Sequence, residues 1–479
     1  MGEGGDGGRL DKAAASYALA LAILLAACTP LPAEEPAPAA PVSTSWKSAA
    51  LPGWTSTADH QAWQEGRWWQ LFGDATLDGL MPGVDIGNQN LAQALANVAQ
   101  AEALLRQAQA QRLPTLGAQL GTQRSGEPAR GTATLGLSAS WAPDLWGSLE
   151  AAVRAQGANV QASRAQLAAA RLAAQGSLAQ AYFALREADA EADLLTDIIA
   201  AYERAATITG NRYRAGIAAH TDLLQAQATL ESARASRVAL RASRARYEHA
   251  IALLLGRPPA QFSLAPAPWT MAVPEVPAVL PSELLLRRPD VAAAERAVAA
   301  ANARIGVARA AWFPSLNLNA GLGGAAASLS ALASAPALTW SLGAALAQTL
   351  FDGGARSAAL DQALATHQAA TAGWRQTALT AFGQVEDQLT ATAALAEQQA
   401  HTRAAAEAAA GAEQRTMNSY QAGVSAYSAV ITAQAAALNA RRSVLQLQLQ
   451  RQQAVVALVQ ALGGGWVAPW GQPPGVGNP

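Results

Sequence analysis

Side chains that commonly catalyse reactions or bind metals are few and scattered in this sequence. The four methionines are not clustered, which gives no support for a soft-metal relay. Gly321, Gly323 and Gly324 superficially resemble a nucleotide loop, but neither a Lys-Ser/Thr pair nor a following helix that would hold a phosphate accompanies them. The histidines show no HExxH or other metal-ligand spacing: His60, His220, His249, His367 and His401. The sequence therefore predicts no enzymatic activity, no cofactor and no metal site.

The single cysteine, Cys28, is the reactive side chain with the most informative position. It follows an apolar run over residues 13–27, which has the length of a signal-peptide core and is too short for a spanning helix. The run ends in Leu-Ala-Ala-Cys, which resembles a bacterial lipobox, whose cysteine is acylated and becomes the mature N-terminus. The alternative is an inert cysteine in an ordinary signal peptide. We predict a signal peptide over 1–27 and a lipidated tether, rich in Pro and Ala, over 28–56.

Composition and charge narrow the class of protein further. The 33 Lys and Arg residues nearly balance the 34 Asp and Glu residues, so no nucleic-acid partner is expected. Charged residues make up only 14% of the chain and alanine dominates, which is typical of long helices packed through small side chains. After Cys28 no run of about 18 apolar residues occurs, so no transmembrane helix is predicted.

An internal duplication organises the rest of the chain. Tyr-Arg-Ala-Gly at 213–216 recurs as Tyr-Gln-Ala-Gly at 420–423, and Leu-Gly at 255–256 recurs in the same register at 462–463. We predict a first repeat over 57–265, a second over 266–465 and a flexible tail over 466–479. Each repeat is expected to contain a helix, two strands, a long helix, a turn and a return helix.

Four segments alternate between apolar and polar residues, which predicts strands of about ten residues, long enough for a tilted membrane crossing. Four strands cannot close a barrel, because membrane barrels start at about eight, so several chains must share one. A soluble sheet with one apolar face is the alternative. The predicted strands are 113–124, 131–142, 313–323 and 337–351. Aromatic residues cluster where these strands meet helices, as an interfacial belt requires: Trp141, Trp146, Trp312, Phe313 and Phe351.

The helices after the strands are predicted to be very long. Heptad spacing of apolar residues indicates coiled-coil-like packing, and at 1.5 Å per residue the longer helices reach roughly 90–100 Å. Gly216 and Gly423 lie where each hairpin turns back and permit the positive φ of such a turn. First helices are predicted over 88–111 and 289–312, long helices over 147–209 and 354–417, and return helices over 219–255 and 425–462.

Several motifs in order resemble the TolC-like outer-membrane factor family, specifically its lipoprotein branch that serves resistance-nodulation-division efflux systems. They are Trp-Trp-Gln-Leu-Phe-Gly-Asp at 68–74, Asp-Leu-Trp-Gly at 144–147, Arg-Pro-Asp-Val at 288–291, Phe-Pro-Ser-Leu at 313–316 and Phe-Asp-Gly-Gly at 351–354. The resemblance implies an α+β membrane protein with four strands per chain in a shared trimeric β-barrel and long periplasmic helical hairpins.

The same resemblance implies an outer-membrane channel that gives small molecules passive exit from a tripartite pump. Its partners would be two further copies of the chain, a periplasmic adaptor, an inner-membrane proton-driven transporter and outer-membrane lipid. Two alternatives stay open: an exit duct for type I protein secretion, and a periplasmic coiled-coil scaffold without a pore. An enzyme is the weakest alternative.

By resemblance, a lock at the periplasmic mouth uses Tyr420 and the Thr221-Asp222 pair. A phenol that donates to a carboxylate makes a charge-assisted hydrogen bond, which would favour a closed mouth. Alternatively, Asp222 caps the return helix. Ser425 stands where the family's best-known member has an arginine, and Ala429 and Thr432 stand where relatives often carry an acidic ring. The resemblance therefore implies a mouth less cation-selective than is typical.

Overall fold

The computed structural model describes residues 45–47, 54–55, 66–126, 130–277, 281, 284, 287–334 and 337–470. The predicted signal peptide, Cys28 and most of the tether lie outside these residues. The chain divides into two compact units. The sheet unit contains the described residues of 102–159 and 297–370, and the helical unit contains those of 38–101, 160–296 and 371–470.

The elements follow the duplicated order predicted from the sequence, and the α+β fold class is confirmed. In chain order they are β1 (Trp54–Thr55), α1 (Ala75–Gly87), α2 (Gln89–Ala110), β2 (Thr115–Ser125), β3 (Arg130–Trp141), α3 (Ser148–Arg214), α4 (His220–Leu254), β4 (Val276–Pro277), α5 (Pro289–Ala310), β5 (Ser315–Ala326), α6 (Leu329–Ser334), β6 (Ala337–Ala347), α7 (Ala355–Gln421) and α8 (Tyr427–Ala461). Two short 3₁₀ helices add Trp68–Phe72 and Pro259–Gln261.

The sheet unit is built on one antiparallel sheet with the strand order β2-β3-β5-β6. The sequence analysis predicted that the last strand ends at residue 351. In the structure this strand, β6, ends at Ala347. The reason is the register: Ala347 pairs with Ser315, the first residue of β5, so β5 offers no ladder partner beyond that point. The short helix α6, which the sequence analysis did not predict, lies between β5 and β6.

The long helices α3 and α7 run four or five residues farther than predicted, because each continues almost to its glycine cap. Gly216 has φ 73° and its N–H donates to the Tyr213 carbonyl at 2.9 Å, while the next N–H reaches back to Arg212 at 2.8 Å. Gly423, with φ 78°, makes the equivalent bonds to Tyr420 and Ser419. These are Schellman motifs, in which only glycine takes the left-handed conformation at little cost.

A buried polar network joins α1, α3 and α4 in the helical unit. Asp74 caps α1 by accepting from the Thr76 and Leu77 amides, and it also accepts from the Tyr182 hydroxyl at 2.8 Å. Arg186 donates to that hydroxyl at 3.2 Å and to Asp189 at 3.0 Å. Every polar group in this network has partners, which is what makes its burial tolerable.

Chain segments near both predicted termini pack against the helical unit. Trp46 is buried edge-on against Phe382 of α7 with ring centroids 6.1 Å apart, and the Lys47 amide donates to Glu386 at 2.6 Å. At the other end, Trp466 and Trp470 pack against each other and beside buried alanines of α3 and α5. Part of each predicted terminal segment is therefore held on the folded body.

The repeated Leu-Gly pair has a steric explanation. Gly256 and Gly463 end α4 and α8 with φ of 67° and 87°. A Cβ on Gly256 would overlap the Gly87 carbonyl oxygen, and a Cβ on Gly463 would overlap the Arg287 carbonyl oxygen. Both glycines therefore meet two requirements at once, a left-handed conformation and close approach of another backbone.

We expect Gly463→Ala to lower the free energy of unfolding by roughly 2–5 kcal/mol, because strain and overlap both act at this position. The matched control is Gly411→Ala in α7, where a Cβ would meet nothing within 4 Å. Alanine there should be neutral or stabilise the helix by about 0.5–1 kcal/mol. Thermal unfolding of the purified full-length protein, followed by far-ultraviolet circular dichroism, measures both, and equal midpoints would contradict the steric explanation.

Candidate functional site

One face of the sheet is apolar across all four strands. Residues directly paired in a ladder point to the same side, so the register assigns each residue to a face. One rung runs through Ala118, Leu137, Leu322 and Trp340. The neighbouring rungs are also apolar, one with Leu116, Ala139, Ala320 and Leu342 and the other with Leu120, Leu135, Gly324 and Leu338.

Much of this apolar face is exposed in a single chain, although Ala133 at one end of it is buried. Trp340 is 79% exposed and Leu342 is 77% exposed, and Leu338 beside them is 67% exposed. A contiguous apolar surface of this extent requires lipid or a protein partner to cover it. The three residues share one face, as the alternation of β6 predicted.

The opposite face is polar and built from small residues. One of its rungs runs through Gly117, Ser138, Gly321 and Ser341. The next contains Gln119, Gly136, Gly323 and Thr339. The sheet therefore has one face suited to hydrocarbon and one suited to water.

The two outer strands each have one edge without a ladder partner in the described chain. β2 pairs only with β3, and β6 pairs only with β5. Their outer backbone N–H and C=O groups are free to pair with another strand. Because unpaired backbone groups are costly in lipid, a sheet with an apolar face needs its edges closed before it can lie in a membrane.

The aromatic residues predicted as a belt lie at one end of the sheet, where the strands meet the helices. Trp146 stacks on Phe313 with centroids 4.9 Å apart, and its indole N–H donates to the Pro314 carbonyl. The Trp141 indole donates to the Arg112 carbonyl at 3.0 Å. The Arg356 guanidinium lies over Trp312 at 5.0 Å, and Phe351 is 89% exposed.

A second candidate site lies at the two helix turns that follow α3 and α7, both within the helical unit. An aromatic pair spans each turn: Tyr213 with His220 in the first repeat and Tyr420 with Tyr427 in the second, each with centroids 5.0 Å apart. The pairs occupy equivalent positions of the repeats, but Tyr213 is exposed while Tyr420 and Tyr427 are buried. Only the second turn is therefore part of a packed core.

The hydrogen bond expected between Tyr420 and Asp222 is absent within the described chain, where the buried Tyr420 hydroxyl has no partner. Burial raises the pKa of Tyr427 to about 12, with smaller contributions from Tyr420 and then Asp222. The N-cap residue of α4 is Ala219, which makes no side-chain cap bond, while Asp222 lies in the first turn of the helix. The alternative, that Asp222 caps or solvates the start of the return helix, stays a prediction.

The remaining predicted mouth residues make local contacts. Thr221 is exposed in the first turn of α4. The Ser425 hydroxyl donates weakly to the Thr416 carbonyl at 3.5 Å. On α8, Ala429 is exposed, as is Thr432, whose hydroxyl donates to the Ser428 carbonyl one turn earlier. Neither position supplies a charge, and the sequence contains no Asp, Glu, Lys or Arg between 416 and 440.

Arg212 makes a contact that the sequence analysis missed. Its guanidinium lies 4.9 Å from the centroid of the Tyr420 ring, and it donates to the Gln421 carbonyl at 2.9 Å. It therefore connects the end of α3 in the first repeat to the end of α7 in the second. A difference between the repeats could have indicated this contact: Arg212 directly precedes the Tyr-x-Ala-Gly turn of the first copy, and Ser419 holds the equivalent position in the second.

Two further observations concern the described residues alone. No helix among them combines the length and apolarity needed to cross a membrane. No group of three His, Cys, Asp or Glu side chains in the same part of the chain is arranged to hold a metal ion.

The outer membrane efflux protein family matches residues 85–257 and 280–464. The pyoverdine export outer membrane protein OpmQ of Pseudomonas aeruginosa is 33% identical over 465 residues, which cover 93% of this chain and 95% of OpmQ. The outer membrane protein OprJ of the same organism is 31% identical over 94% of this chain and 95% of its own length. The solved outer-membrane channel OprN matches with a TM-score of 0.84 and 28% identity, covering 92% of this chain and 100% of that one. This chain belongs to the outer membrane efflux protein family.

Proposed function

We propose that three copies of this chain form one twelve-stranded barrel, and that the trimer is the passive outer-membrane duct of a tripartite efflux pump for small molecules. The observation that carries this proposal is the sheet, which has a continuous apolar face and two unpaired edges. Pairing β6 of one chain with β2 of the next leaves no edge open. The apolar face then meets lipid and the polar face lines the pore.

The partners follow from the passive duct and from the relatives of this chain. A passive duct does not itself drive export, so in this proposal the energy comes from another protein. We propose an inner-membrane transporter of the resistance-nodulation-division class and a periplasmic adaptor that joins it to the long helical hairpins. OpmQ, named for pyoverdine export, and the antibiotic efflux pump outer membrane protein ArpC of Pseudomonas putida, 29% identical over 94% of this chain, support this over protein secretion.

A pore-less periplasmic scaffold predicts that the sheet is soluble, so a substitution on the exposed apolar face separates the two functions. In a lipid-facing barrel, Leu342→Arg should weaken assembly by about 2–4 kcal/mol if the site is near the membrane midplane. The matched control is Ser341→Arg, one residue earlier and on the polar face. Heat-stable trimers on a denaturing gel report assembly. Equal trimer stability in the two variants would support the scaffold.

We also propose that Cys28 carries the lipid that anchors the mature chain in the outer membrane, with residues 1–27 removed as a signal peptide. The apolar run that ends at the only cysteine supports this. Metabolic labelling with a fatty acid should mark the parent protein and not Cys28→Ser. The trimer of Cys28→Ser should still form, because the proposed barrel is closed by the strands of the sheet and not by the lipid. Label retained on the variant would refute the assignment.

The periplasmic mouth is proposed to lie at the two turns, near the residues that the family resemblance indicated. Arg212 on Tyr420 holds the two repeats together there, and such a cation–π contact contributes about 0.5–2 kcal/mol. The predicted hydrogen-bonded lock and the Arg212 contact use different parts of the Tyr420 side chain. The hydrogen bond needs the hydroxyl, whereas the cation–π contact needs only the ring.

We expect Arg212→Gln and Tyr420→Ala to raise single-channel conductance in planar bilayers several-fold, because each removes the contact between the repeats. Tyr420→Phe keeps the ring and should conduct like the parent. Arg214→Gln is the matched control, because Arg214 bonds only to Asn211 on its own helix. If Tyr420→Phe and Asp222→Ala open the channel while Arg212→Gln does not, the lock is the hydrogen bond and not the cation–π contact.

A further inference from the structure

Two carboxylates lie one helical turn apart on α3, on the side that packs against α8. Glu187 is buried, with 8% of its surface exposed, and Glu191 follows it one turn later and is partly buried. From α8 the Arg442 guanidinium forms an ion pair with Glu191, with its Nε 2.7 Å from a carboxylate oxygen. The close contact of this guanidinium therefore goes to Glu191, while the second carboxylate is buried beside the pair.

The next carboxylate of α3 belongs to a different side of the helix. Asp189 accepts from Arg186 of α3 at 3.0 Å and from Arg244 of α4 at 2.6 Å. Glu248 of α4 lies 3.6 Å from Arg244 as well. The charges between α3 and α4 thus compensate one another in a network of their own.

The helix α7 brings further charged groups to this part of the helical unit. Arg403 and Glu407 of α7 line a groove of about 430 Å³ together with Ala190 of α3 and Arg441 of α8. Arg441 lies 3.4 Å from Glu413 of α7, with which it forms an ion pair. The contact between α3 and α8 is therefore bordered by charges on both neighbouring helices.

The surroundings of Glu187 favour its protonated form. Burial raises the pKa of Glu187 to about 7, the charge of Glu191 adds to the rise, and Arg442 opposes it. An exposed glutamate has a pKa of 4.5, so the folded chain binds this proton more tightly than the unfolded chain does. The stability that this carboxyl contributes is thus complete below about pH 4.5 and is lost as the pH rises through about 7.

The contact between α3 and α8 continues toward the turns. The Tyr202 hydroxyl of α3 donates to the Gln434 carbonyl of α8 at 3.4 Å, and Leu438 of α8 packs against the cluster that contains Tyr202. Closer to the turn, Ala206 of α3 packs against the cluster that contains Tyr427, the first residue of α8. The contact therefore extends from the carboxylate pair to the turn between α7 and α8.

We propose that Glu187 is a proton-operated switch in the contact between α3 of the first repeat and α8 of the second. When Glu187 is protonated, Arg442 serves Glu191 alone and the two helices pack closely. When Glu187 is ionised, a second buried carboxylate competes for the same guanidinium and repels Glu191, which weakens the contact. Mild acid therefore holds the two repeats together, and mild alkali loosens them as far as the turns. The switch itself does not depend on the proposed barrel, whereas its effect on the mouth rests on the proposed function.

The first test follows thermal unfolding of the purified full-length protein in detergent by far-ultraviolet circular dichroism, at one heating rate, from pH 5 to pH 8. The midpoint of the parent should fall across this range by about 2–4 °C more than that of Glu187→Gln, because glutamine cannot ionise. The matched control is Asp193→Asn, which changes an exposed carboxylate of α3 and should keep the pH dependence of the parent. Parallel curves for the parent and Glu187→Gln overturn the switch.

Glu191→Gln tests whether the two carboxylates share Arg442, and it remains informative if Glu187→Gln does not fold. With Glu191 neutral, the guanidinium is available to Glu187 and the repulsion is gone. The pH at which the fall of the midpoint levels off should then move down by about one unit. A levelling-off at the same pH as in the parent overturns the sharing of the guanidinium.

The effect on the mouth is measured as single-channel conductance in planar bilayers at pH 6 and pH 8. The ratio of the two conductances should be about twofold higher in the parent and in Asp193→Asn than in Glu187→Gln, because only the ionised glutamate shifts the population toward loosened helices. Equal ratios, together with the expected thermal midpoints, overturn the link to the mouth and leave the switch in place. A parent that forms no channel overturns the proposed function, and the thermal midpoints then decide the switch alone.

Discussion

Backbone hydrogen bonding at the edges of the four-stranded sheet is the constraint on which the rest of the structure depends. Among the described residues, the outer backbone N–H and C=O groups of β2 and β6 have no ladder partner, and β6 also carries Trp340 and Leu342 on an exposed apolar face. In water, exposure of the apolar face is unfavourable. In lipid, the backbone groups without partners at the two edges are unfavourable. Only closure by further copies of the same sheet removes both problems. The edges of one chain therefore favour a barrel shared between copies, as in the proposed trimer.

Glycine at the helix ends gives the duplication its physical basis. Each repeat has one Schellman cap where the long helix turns back and a second where the return helix ends. At the second, Gly256 and Gly463 also admit the backbone of a preceding segment, at Gly87 and Arg287. The repeated Leu-Gly pairs thus lie where a Cβ would overlap another backbone segment, and they mark where each return helix ends.

The two repeats differ at the turns: the aromatic pair is packed into a core only in the second repeat. Tyr213 and His220 form an exposed pair, whereas Tyr420 and Tyr427 are buried with Val430 and Ala226. Burial raises the pKa of Tyr427 to about 12, so this phenol is neutral at any physiological pH. The Arg212 guanidinium lies against the Tyr420 ring of this buried pair. A contact of this kind can be broken without disturbing the hairpins themselves.

The sequence by itself determined the family, the α+β class and the duplicated order of helices and strands, because alternation, heptad spacing and Gly placement are local properties of the chain. It also placed Leu338, Trp340 and Leu342 on one face, since that follows from the period of a strand. The tertiary structure decided the rest. That β6 stops at Ala347 depends on where β5 begins, and that Arg212 reaches Tyr420 depends on packing between helices about 200 residues apart in sequence. The rungs that place glycine beside serine exist only once four strands are in register, because no single strand contains them.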